Sequence, residues 1–121
     1  MSDEGQRVVR FNQEHYDLLM KCAKKGDMAE WNEWYGKYKK AQKDAGKDDC
    51  GAWLDGANMS WVHLEGADMS WAHLERANMI EAHLERADMT KAHMDQAVMI
   101  EAHLEGANMI EAHLEQADLQ G

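Results

Sequence analysis

The chain has 121 residues, 45% of them hydrophobic, and a formal net charge of -10 at pH 7; this allows one small domain with a cap and excludes a large multidomain enzyme. Cut between Gly51 and Ala52, the charge divides unevenly: residues 1–51 carry ten acids against ten bases, and residues 52–121 carry thirteen acids against Arg76, Arg86 and Lys91. The second part therefore has the wrong sign for direct nucleic-acid binding.

The opening MSDEGQRVVR has no apolar run behind a basic stretch, so neither a secretory signal nor a membrane span is expected. With that opening, Cys22 and Cys50 are expected to be free thiols in a reducing cytoplasm. Asn12-Gln13-Glu14-His15 begins a helical pattern that runs through Leu18, Leu19 and Cys22 to Gly26, a residue suited to end it. Asp27 with Glu30 has the form of a capping box, and Trp31, Trp34, Tyr35 and Tyr38 follow at i, i+3, i+4 and i+7. That spacing predicts a second helix with an aromatic stripe. The stretch DAGKDDCG over 44–51 reads as a turn, which makes 1–51 a helical cap and linker and 52–121 a separate unit.

From Ala52 the chain is fourteen five-residue units without an insertion, each opening with Ala except at Val62 and each carrying Leu or Met third. A ten-residue alternation lies over this, in which units with His second take turns with units that usually carry Asn or Asp second. Five residues of α-helix overshoot a full turn by about 140°, which would smear the apolar positions around the cylinder. In a flat strand an odd period would flip them to the other face at each unit. What remains is a chain that bends after every unit, turning Ala and Leu/Met inward and leaving the second, fourth and fifth positions in solvent, in stacked coils.

This Ala-(Asn/Asp)-(Leu/Met)-x-x tandem resembles the pentapeptide-repeat proteins. The resemblance implies a β fold, a right-handed quadrilateral β-helix with four units per coil; the 70 residues of 52–121 then make about three and a half coils and a rod about 17 Å long. The helix with Trp31-Asn32-Glu33-Trp34 also resembles the N-terminal cap that precedes such repeats, and its expected job is to cover Leu54 and Met59 of the first coil, with Trp53, Trp61 and Trp71 beside it.

With residues twenty apart in register, two histidine columns form, His73, His93 and His113 below Trp53, and His63, His83 and His103 opposite. The acids Asp55, Glu75, Asp95 and Glu115, and Glu65, Glu85 and Glu105, run beside them and make up the candidate interaction surface. Imidazoles on adjacent coils with a neighbouring carboxylate are ligand types suited to zinc or nickel. No convergent three- or four-ligand pocket is expected within any coil, however, so neither a metal site nor a cofactor site is expected. No catalytic residues are expected either, because no Ser-His-Asp set, phosphate-loop sequence or Cys-x-x-Cys occurs and Cys22 reads as a buried helix residue.

The expected function is a non-catalytic structural or protein-interaction scaffold. The resemblance adds an alternative: some pentapeptide-repeat proteins are acidic DNA mimics that bind DNA gyrase. A further alternative is divalent metal binding by the histidine columns. The partner expected under the mimic reading is a DNA-binding protein such as DNA gyrase, with neither membrane nor direct nucleic acid. Past Ala117-Asp118-Leu119-Gln120 no helix or Pro closes the coil, so Leu104, Met109, Leu114 and Leu119 are the expected contact of a homodimer through the C-terminal coil.

Overall fold

The computed structural model describes residues 11–121; the reading of MSDEGQRVVR and the first ten residues of the 1–51 cap lie outside the described residues. Helix α1, Gln13–Lys25, starts as the sequence predicts. The Asn12 side chain accepts hydrogen bonds from the N–H groups of Glu14 at 2.8 Å and His15 at 3.1 Å. It ends on Gly26 at φ 73, where the N–H groups of Gly26 and Asp27 donate to the carbonyls of Ala23 and Cys22. Glu14 in the first turn and Lys24 and Lys25 in the last complement the helix dipole.

Helix α2, Ala29–Asp44, departs from the expected capping box. Its N-cap position falls on Met28, and Asp27 accepts from the Ala29 N–H at 2.9 Å instead of occupying the cap itself. Glu30 does not reach back; it faces Lys21 at 3.5 Å and Lys25 at 3.9 Å on α1. Two ammonium groups on the neighbouring helix outcompete one backbone N–H for its carboxylate. Among the described residues no helix is long and apolar enough to cross a membrane.

Phe11 forms one antiparallel bridge with Leu54, and every other bridge is parallel and joins residues twenty apart, so four five-residue units make one coil of a β-helix solenoid. The first side carries Trp53, His73, His93 and His113, the second Asn58, Asn78, Val98 and Asp118, the third His63, His83 and His103, and the fourth Asp68, Asp88 and Asn108. Each side holds isolated bridges rather than extended strands. The reason is the corner: the carbonyl of every third-position residue from Leu54 to Leu114 accepts from the N–H three residues on, as in Leu54 to Ala57 at 3.1 Å, which leaves little straight chain per unit. The fifth residue sits in that turn at positive φ, including ten residues other than glycine, from Trp61 at 66° to Gln116 at 60°.

The ten-residue alternation has a physical origin in the same corners. On the second and fourth sides the Asn or Asp side chain accepts from the N–H two residues on, as from Ser70 to Asp68 at 3.1 Å and from Thr90 to Asp88 at 3.0 Å. Val98 breaks this series. Inside, every third-position Leu or Met from Leu54 to Met99 is at most 1% exposed, and each contributes about 1.5–3 kcal/mol of apolar burial. In the last described coil Leu104, Met109 and Leu114 are only partly buried.

The cap meets the open edge of the first coil through side chains and backbone. Asn12 N–H donates to the Trp53 carbonyl, Tyr16 to that of Asn58, Trp31 to that of Asp68 and Tyr35 to that of Ser70, all between 2.6 and 2.8 Å. Lys39 pairs with Asp68 at 2.9 Å. These donors satisfy edge carbonyls that would otherwise be buried unpaired. Leu54 and Met59 are fully covered, as expected, but Trp61 stands 62% exposed at the corner that ends the second side. At Gly51, where the linker enters the rod, an added Cβ would collide with the Trp71 carbonyl, so only glycine fits.

Candidate functional site

The twenty-residue ladder turns the second position of the first and third sides into continuous stacks of rings. Trp53 lies 4.5 Å from His73, His73 4.6 Å from His93, and His93 5.1 Å from His113, with planes within 10° of parallel. On the third side His63, His83 and His103 stack at 4.3 and 4.4 Å. Stacking covers the ring faces, so the expectation that second and fourth positions stay in solvent is corrected. His73 is 2% exposed, Asp55 and Ser70 are 6% exposed, and most of the other histidines are half-buried.

The convergence that no single coil provides is present between coils. Ligand atoms of His63, Glu65 and His83, of His73, Glu75 and His93, and of His83, Glu85 and His103 lie within 4.8 Å of one another. The sequence reading of no convergent three-ligand set is revised to that extent: the set needs two coils, which the period of twenty supplies. Within these groups His63 Nδ1 is 3.1 Å from Glu65 and His83 Nδ1 3.3 Å from Glu85. Burial is the largest influence on the Glu65 carboxyl and would raise it, but the hydrogen bond with His63, a backbone hydrogen bond and the charges of His63 and His83 together outweigh it, and the net shift is downward. Burial, helped by the neighbouring His73 and His113, holds His93 below the ordinary histidine value against the pull of Glu75 and Asp49. At pH 7 that ring is neutral.

His73 has a partner that periodicity could not reveal. Its Nε2 lies 2.6 Å from Asp49, a linker residue outside the repeat, whose only trace in the sequence is the acidic pair in DAGKDDCG. His15 was likewise unmarked: it is buried between the helices and the first coil, accepts from the Trp53 N–H at 3.2 Å and packs on Trp34 and Tyr38.

The acidic residues do not form one exposed surface. Asp55 is buried, Glu65, Glu75, Glu85 and Asp95 are half-buried, and Glu105 and Glu115 are exposed. At the far end Leu104, Met109 and Leu114 are half-buried and Leu119 is 46% exposed. Cys22 and Cys50 are buried free thiols.

Among curated proteins nothing matches the chain. The family model described as pentapeptide repeats matches residues 50–79, 67–106 and 97–121, with eight copies. Those residues are the coils just described and more than half of the molecule, and the chain therefore belongs to the pentapeptide-repeat family.

Proposed function

We propose that the protein is a non-catalytic structural or interaction scaffold of the cytoplasm that offers straight rows of outer side chains to a protein partner. With the right-handed, quadrilateral winding that the family resemblance implies, each row repeats at about 4.8 Å along a rod whose interior is filled by Leu, Met and Ala. The observation that carries this reading is the register: each second-position residue from Trp53 to Val98 is bridged to the one twenty along, so the surface is ordered by the backbone ladder itself. A photoreactive residue placed at Glu105 or Glu115 is expected to give a discrete protein adduct in cells of the source organism. Adducts from neither position, or the same adducts from the cap position Glu33, would reject the reading.

A second reading is an acidic DNA mimic for DNA gyrase or another DNA-binding protein. Supporting it, the repeats carry thirteen acids against three bases, while a duplex carries about ten charges over a comparable 17 Å. The exposed carboxylates of the far coils, Glu101, Glu105, Glu111 and Glu115, would carry the recognition. Inhibition of purified gyrase in a supercoiling assay, lost on reversing those four charges, would support it; no inhibition at any protein concentration would reject it. In both readings two copies pair through Leu104, Met109, Leu114 and Leu119.

A further inference from the structure

We propose that His73, Glu75 and His93 form a binding site for a divalent first-row metal ion, zinc above all, with Asp49 as the carboxylate that orients the buried histidine. Asp49 accepts, so in the neutral ring the His73 Nε2 at 2.6 Å carries the proton and Nδ1 presents its lone pair. That Nδ1 faces Glu75 Oε1 at 3.7 Å. Both atoms are buried and neither has a hydrogen-bond partner, and the His73 side chain is 3% exposed. Two acceptors facing each other across a gap too wide for a hydrogen bond are costly to bury unless a cation lies between them.

The dimensions suit such an ion. Ligands about 2.0–2.2 Å from a tetrahedral zinc stand about 3.3–3.6 Å from each other, close to the separation of this pair. The third ligand is His93, which offers a ring nitrogen within 4.8 Å of a ligand atom of each of the other two residues and belongs to a ring stacked on His73 at 4.6 Å. Parallel rings cannot aim two lone pairs at one ion, so one must tilt. His73 is pinned by Asp49; His93 is half-buried in a shallow depression that it lines with Asp49, Trp71, His73 and Glu75.

Two imidazoles and a carboxylate favour zinc and its neighbours over calcium or magnesium, and leave one position for water. A carboxylate behind a ligating histidine is the usual outer partner of such an ion. The two groups on the third side share His83, so only one of them can be filled by that ring at a time, and the His63 side chain is 57% exposed. They are the weaker candidates. The site stands apart from the scaffold reading and does not depend on it.

Calorimetric titration of tag-free protein with zinc, and visible absorption on adding cobalt, test the site. One site per chain is expected, weakened at least tenfold by His93→Ala, weakened about 10–100-fold by Asp49→Asn, and unchanged by His83→Ala, which disables both groups on the third side. Circular dichroism without metal checks that each variant folds, and Asp49→Asn carries the test if His93→Ala does not. Zinc should also raise the melting temperature of the unaltered chain and not that of His93→Ala. The proposal is overturned if neither metal binds, or if binding survives His93→Ala and Asp49→Asn and disappears in His83→Ala.

Discussion

His15 shows how one side chain can tie a cap to a solenoid. Burial lowers its pKa from the ordinary 6.5, against the opposing charge of Glu14, and its neutral Nδ1 accepts the Trp53 N–H while Trp34 and Tyr38 pack on the ring. Above pH 6.5 the ring is neutral in folded and unfolded chains alike, and its contribution is complete. Below that value the unfolded chain takes up a proton that the folded chain resists, so stability falls with pH. His93, lowered by burial as well, acts in the same direction. The melting temperature is expected to drop between pH 7.5 and pH 5.5, and His15→Gln, less stable at neutral pH, should show a shallower drop. An equal slope in the two proteins would show that His15 is not held neutral.

At the scale of the repeat unit, the corner hydrogen bond explains both the alternation and its exception. Asn78, one coil above Val98, accepts from the Ile80 N–H at 3.1 Å, and Asp118, one coil below, accepts from the Gln120 N–H at 3.2 Å. Val98→Asn should restore the same bond from Ile100 and raise stability by about 0.5–1.5 kcal/mol in urea denaturation, with the m-value unchanged. A loss of stability would mean that the half-buried valine methyls matter more than the bond. The period of five, the inward Ala and Leu/Met and the limits of α1 were all legible in the sequence, because sterics and capping act on neighbours in the chain. The displaced start of α2, the burial of His73 and the Asp49 contact were not. Each depends on what another segment brings: the lysines of α1 beside Glu30, the stacked rings on His73, and the path of a linker outside the repeat. The positive φ of ten non-glycine residues was hidden for a different reason, since glycine at Gly56, Gly66 and Gly106 occupies the same corner as Trp, Arg, Glu, Lys or Gln elsewhere.

For the whole molecule, the two ends of the rod differ. The first coil is bonded by Asn12, Tyr16, Trp31 and Tyr35, whereas the last leaves Leu104, Met109 and Leu114 half-covered beside an exposed Leu119. An apolar interior under an open β edge favours pairing, and two like ends related by a two-fold axis close without forming a fibre. The 121-residue chain is expected to sediment as a dimer at micromolar concentration and Leu119→Asp as a monomer; a monomer across tenfold dilution would reject this contact. The ladder also governs how such a rod can change length. Because histidine sides alternate with Asn/Asp sides, a duplicated ten-residue block places histidine on histidine again, but it turns everything beyond the insertion half a revolution about the axis. Descendants of this rod can thus lengthen in half-coil steps without disturbing the packing, and each step would carry whatever is attached at the far end to the opposite face.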